Sequence, residues 1–135
     1  MIRRLIRPVI RFAFWAFERP APGLDLALGV LSGGWAAAAA VAPAVFDRSS
    51  YAVIGLMPPA LIILAMAGLA AAHLTLALRS ARWWRIGPLF LSAFVWLSIA
   101  LGFAAVEAWP EVVVYGLVAA GCLLGALYVE TDRAA

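Results

Sequence analysis

A chain of 135 residues that is 67% hydrophobic and only 13% charged, with a mean hydropathy of +1.03, carries more apolar surface than a soluble domain of that size can hide. All ten basic residues behind its net charge of +3 are arginines, most of them clustered beside apolar runs, which is the pattern of membrane-surface charge and not of a nucleic-acid footprint. A single cysteine, Cys122, excludes an intrachain disulfide and a cysteine-based metal site within one chain, and its place in an apolar run marks it as a small packing residue.

Residues 1–20 are too apolar for a plain tail. In RPVIRFAFWAFERP, Pro8 suits a first helical turn, Arg4, Arg7 and Arg11 share one helix face, and Phe12, Phe14, Trp15 and Phe17 cover much of the rest. This predicts an amphipathic helix in the membrane interface, preceded by Arg3 and ended by a Pro20-Ala-Pro22-Gly23 turn. The apolar run that follows is too long, and starts too far in, for a cleaved signal peptide, and the aromatic density suits an anchor better than a transit peptide.

Four apolar runs then follow in residues 21–135, at 24–45, 58–78, 86–106 and 112–129. Each is near the about 20 helical residues needed to cross a hydrocarbon core of about 30 Å. Backbone groups in lipid must be satisfied internally, and continuous apolar runs exclude a barrel, so the expected fold is all-α: a four-helix antiparallel transmembrane bundle. In the first loop, Pro58-Pro59 can open the second span, and residues 49–57 suit a short interfacial helix, with a longer second span from about residue 53 as the alternative. Between the second and third spans stands RSARWWRIGP. An arginine at the bilayer centre costs about 2.5–3.5 kcal/mol, which places Arg79, Arg82 and Arg85 in a loop, with Trp83 and Trp84 at the headgroups and Gly87-Pro88 opening the next helix. The last run is the shortest.

Nine of the ten arginines fall before the first span, in this hairpin or at the C-terminus, whereas the other side has only Arg48. Both termini are therefore expected in the cytoplasm of a bacterial inner membrane, against anionic headgroups.

His73 is the one ionisable side chain well inside a span, and so the candidate intramembrane polar site. A backbone carbonyl, Thr75 or Ser98 could satisfy it; a haem would need a second axial ligand. Asp25 and Glu111 read as first-turn acids that complement helix dipoles, with Glu107 at the exit of the third span. No mid-bilayer carboxylate, Ser-His-Asp set, HExxH motif or phosphate loop is legible, so no catalytic residue, metal or cofactor is assigned and enzyme activity is not expected. Gly29-x-x-x-Gly33 and Gly121-x-x-x-Gly125 give smooth faces for packing within the bundle or, less favoured, between copies.

The entry RFAFWAFERPAPGLDLALG, the hairpin RSARWWRIGPL with LSAFVWLSIALGF after it, and the closing VVVYGLVAAGCLLGALY resemble small four-span membrane proteins of phage and prophage genomes, some described as holins. The resemblance implies a non-enzymatic protein that acts by assembly in the host inner membrane, holin-like or virion-associated. The alternative partner is a larger membrane complex of which this chain is an accessory subunit; a His73-dependent transporter ranks third.

Overall fold

The computed structural model describes residues 20–44, 51, 56–79 and 83–131. The amphipathic helix expected over residues 1–20, with Arg3, Arg4, Arg7 and Arg11, lies outside them, as do Arg82 and most of the interfacial segment expected before the second span. Four α-helices are described: α1 (Pro20–Val41), α2 (Pro59–Leu78), α3 (Ile86–Ala104) and α4 (Trp109–Thr131), with a single 3-10 turn, Trp83–Arg85, leading into α3. All four are long and apolar enough to cross a membrane.

The helix starts that differ most from the sequence reading are those of α1 and α4, and α1 also ends earlier, at Val41. α1 begins at Pro20, so the Pro20 to Gly23 stretch opens the helix and does not precede it. Proline lacks an N–H, but the first helical N–H groups have no intrahelical partner anyway, so nothing is lost there. α4 runs 23 residues from Trp109 and is the longest helix, not the shortest span, because Pro110 starts a helix as readily as Pro59 starts α2. α3 ends as expected in a tight turn, with Glu107 at φ 57° and bonds from the Glu107 N–H to the Ala104 carbonyl and from the Ala108 N–H to that of Phe103. Glycine normally takes that left-handed position. Glu107→Gly is expected to raise stability by up to about 1 kcal/mol, read as a higher melting temperature in mild detergent.

The helices run antiparallel as two hairpins. α1 lies along α2: Gly29 faces Leu74 and Gly33 faces Ala70. α3 lies along α4: Gly125 meets Leu89 of α3, and also Leu24 of α1. A Cβ on Gly121 would meet nothing within 4 Å, so of the second glycine pair only Gly125 stands where a side chain would run into another helix. A methyl at Gly29 would stand 2.8 Å from Leu74 Cγ and 3.3 Å from the Leu74 backbone nitrogen, which forces α1 off α2. Gly29→Ala should therefore cost about 1–3 kcal/mol in detergent unfolding. Gly125→Ala should cost less, because only a terminal methyl of Leu24 must swing aside, and Gly121→Ala should gain up to about 1 kcal/mol from helix propensity.

Within each hairpin the helices pack closely along their lengths, and the two hairpins meet along an interior seam. The seam takes one stripe from each helix, spaced three, four or seven apart: Leu28, Ser32 and Ala39 on α1, Met66, Leu69 and His73 on α2, Leu89, Trp96 and Phe103 on α3, and Ala119, Cys122 and Ala126 on α4. Cys122 is fully buried there, as its setting predicted. The perimeter is apolar, with Leu64, Phe94 and Leu117 among the most exposed side chains, and tryptophans mark both ends: Trp83 and Trp84 at one, Trp109 at the other. A surface of this kind suits hydrocarbon between two headgroup layers.

Candidate functional site

The buried polar side chains gather in the seam, whereas Thr75 and Ser98 face outward. Because α1 starts at Pro20, Asp25 stands in its second turn, and its side chain is 1% exposed rather than facing headgroups as a first-turn acid would. Opposite it on α2 is His73, fully enclosed, with Nδ1 2.9 Å from Asp25 Oδ1. From α3, Ser92, equally enclosed, places its Oγ 2.7 Å from His73 Nε2. An ionised carboxylate can only accept, so Nδ1–H donates to Asp25; a neutral imidazole then has Nε2 free to accept the Ser92 O–H. Neither Thr75 nor Ser98 serves His73, and Ser98 instead donates to the Phe94 carbonyl of its own helix.

Arg85 corrects the loop assignment more sharply. The hairpin does carry Arg79, Trp83 and Trp84 at the end of the bundle, but the Arg85 side chain turns inward and is 6% exposed. Its Nε lies 2.9 Å from Asp25 Oδ2 as an ion pair without the direction of a hydrogen bond, while Nη2 donates to the carbonyls of Leu76, at 2.9 Å, and Arg79, at 3.1 Å. Those carbonyls end α2, so the guanidinium caps that helix and neutralises Asp25 at once. The large cost of burying an arginine applies to an isolated charge, and this one is paired.

Toward the other end the seam is aromatic. The Trp96 and Tyr115 rings lie parallel at 5.6 Å, Phe103 and Tyr115 at 5.4 Å, and Trp35 meets Trp96 and Tyr115 edge-on at 6.0 and 5.5 Å. Tyr51, expected at the lipid interface, instead packs inward on Phe103, at 5.1 Å. Tyr115 hydrogen-bonds the Trp35 indole. Between the aromatic and charged levels lie two buried groups without a partner, the Ser32 hydroxyl and the Trp96 indole N–H.

Asp25, His73 and Ser92 thus have the connectivity of an acyl-transfer triad, which the sequence analysis did not find because the three come from different helices, 48 and 19 residues apart. Among the described residues, grooves open on the bundle at two places that bear on the seam. One of about 220 Å³ runs between Leu24, Arg85 and Tyr128, the other of about 490 Å³ between α2 and α3 past Trp35 and Met66; neither has Ser92 in its wall. Among the described residues no three of His, Cys, Asp and Glu converge to hold a metal ion. Comparisons with protein-family models, curated proteins and solved structures each return no match.

Proposed function

We propose that this chain is a non-enzymatic four-span protein of the bacterial inner membrane that acts by assembly, in the manner of a holin. The observation that carries the reading is the placement of Asp25, Ser32, His73, Arg85 and Ser92 in the seam between two hairpins, under an apolar perimeter. In the closed bundle the charged members satisfy one another. When the hairpins part and copies associate, the same side chains line a lumen in which water replaces their partners. The resemblance to phage-encoded membrane proteins supports the same reading. Against acyl transfer stands the complete enclosure of Ser92, whose hydroxyl no acyl substrate can reach in the closed bundle.

Timed expression in a bacterium tests this. The expected result is loss of membrane potential and release of a co-expressed cytosolic muralytic enzyme, whereas normal growth without leakage at high expression overturns the pore. A second reading, an accessory subunit of a larger complex, draws on the apolar groove between α2 and α3, where a partner helix would lie. Co-purification with stoichiometric larger subunits in mild detergent would favour it over self-assembly.

The arginine asymmetry supports both termini in the cytoplasm. A reporter active only in the cytoplasm is expected to work at either end of the chain, and one active only in the periplasm when fused after Arg48. The reverse outcome for the C-terminal fusion would remove the orientation.

A further inference from the structure

We propose that the seam is a proton path running the length of the closed bundle. Polar side chains occupy it at every level: Arg85, Asp25, His73 and Ser92 at one end, Ser32 and the Trp96 N–H in the middle, and Tyr115, with Trp35 on its hydroxyl and Glu111 one turn before it, toward the other. Ionisable groups within spans are the usual material of proton relays.

The middle level carries the argument. Buried polar groups in native proteins nearly always find a partner, and Ser32 Oγ and Trp96 Nε1 have none although both residues are fully enclosed. A hydroxyl that can donate and accept and an indole that donates, both buried in the seam with the Trp96 ring against Tyr115, are groups that buried water would satisfy, since such water typically takes about three hydrogen bonds. On this proposal, water at that level joins Ser92 to Tyr115.

The transfer balances. A proton arriving through that water is taken by Ser92 Oγ as the Ser92 hydroxyl proton passes to His73 Nε2. The resulting imidazolium gives its Nδ1 proton to Asp25, and Asp25 releases it to water in the groove that Leu24, Arg85 and Tyr128 line. One proton enters and one leaves, Ser92 and Asp25 are restored, and a turn of the imidazole that brings Nε2–H toward Asp25 and bare Nδ1 toward Ser92 readies it for the next proton; a second transfer and turn restore the starting tautomer and orientation. Arg85 takes no proton; its guanidinium stays beside the Asp25 carboxylate as a counter-charge.

This path belongs to the closed bundle and does not rest on the assembly reading. The test is the purified full-length protein in vesicles holding a pH-sensitive dye and a separate large fluorophore, with a potassium gradient and valinomycin to drive proton uptake. Expected is proton flux above that of protein-free vesicles, with the large fluorophore retained. Ser92→Ala and Ser32→Ala remove only a hydroxyl each and should bring the flux close to the protein-free rate. Ser98→Ala, whose hydroxyl is bound to its own helix, should leave it unchanged. His73→Gln, checked for folding by circular dichroism and monodispersity, should also abolish it. Wild-type flux equal to that of empty vesicles overturns the proposal, as does undiminished flux in both Ser92→Ala and Ser32→Ala. Proton entry accompanied by loss of the large fluorophore overturns it too, because that is the signature of an aqueous pore. Retained fluorophore with proton flux leaves the path standing even where expression in cells gives no leakage, so the two readings fail separately.

Discussion

Asp25→Asn is expected to destabilise the bundle by about 3–5 kcal/mol, the largest effect of any single polar substitution here. The amide still accepts the His73 Nδ1–H, so the loss comes from Arg85, which stays 6% exposed between two helix-end carbonyls with no counter-charge. A double-mutant cycle separates this from a loss of packing. With Arg85→Met already in place, no buried cation is left for Asp25 to neutralise, and Asp25→Asn should then cost little. Unfolding by denaturing detergent, followed by circular dichroism, supplies the four stabilities. If the two single losses simply add, the ion pair is not what joins these residues.

Trp96→Ala should cost a similar amount, about 3–5 kcal/mol. Lipid offers no hydrophobic drive between helices, so packing contacts carry the association, and this ring is completely buried where α1, α3 and α4 converge. Trp96→Phe is expected to cost a fraction of that. It keeps a ring against Tyr115 and deletes an N–H that has no protein partner, so no hydrogen bond between side chains is broken. The same unfolding assay decides it, and equal losses for Ala and Phe would mean that the indole nitrogen, not the ring, matters to stability.

The spans were readable because crossing hydrocarbon is a demand on composition and length, which a linear sequence displays. The rotation of each helix was not, because a helix apolar all round shows no buried face in its periodicity. Arg85 is the instructive case. Its cost of burial was charged as for a lone cation, and nothing local to RSARWWRIGP reveals that an aspartate 60 positions earlier in the chain cancels it. Asp25 was misread for a related reason: placing the helix start at residue 24 put the carboxylate in the first turn, and starting at Pro20 carries it a full turn deeper. One signal was available. Asp25 and Ser32 are seven apart, as are Arg85 and Ser92, and Trp96 follows Ser92 by four, so polar residues recur on one face of each of two helices. Unlike a lone histidine, matching polar faces on two spans imply that the spans face each other.

The division into two hairpins bears on how the protein is made. The first hairpin carries both Asp25 and His73, so it can enter the bilayer with its acid already hydrogen-bonded, before the rest of the chain has left the ribosome. The second then arrives with Arg85 and Ser92, whose partners are waiting in the first. Recognition between the halves is thus polar and directional, in a solvent where apolar surfaces do not distinguish one helix from another. A mispaired hairpin leaves Arg85 without its acid and Ser92 without its imidazole, and so is discriminated against during biogenesis, in a membrane crowded with helices of nearly the same composition.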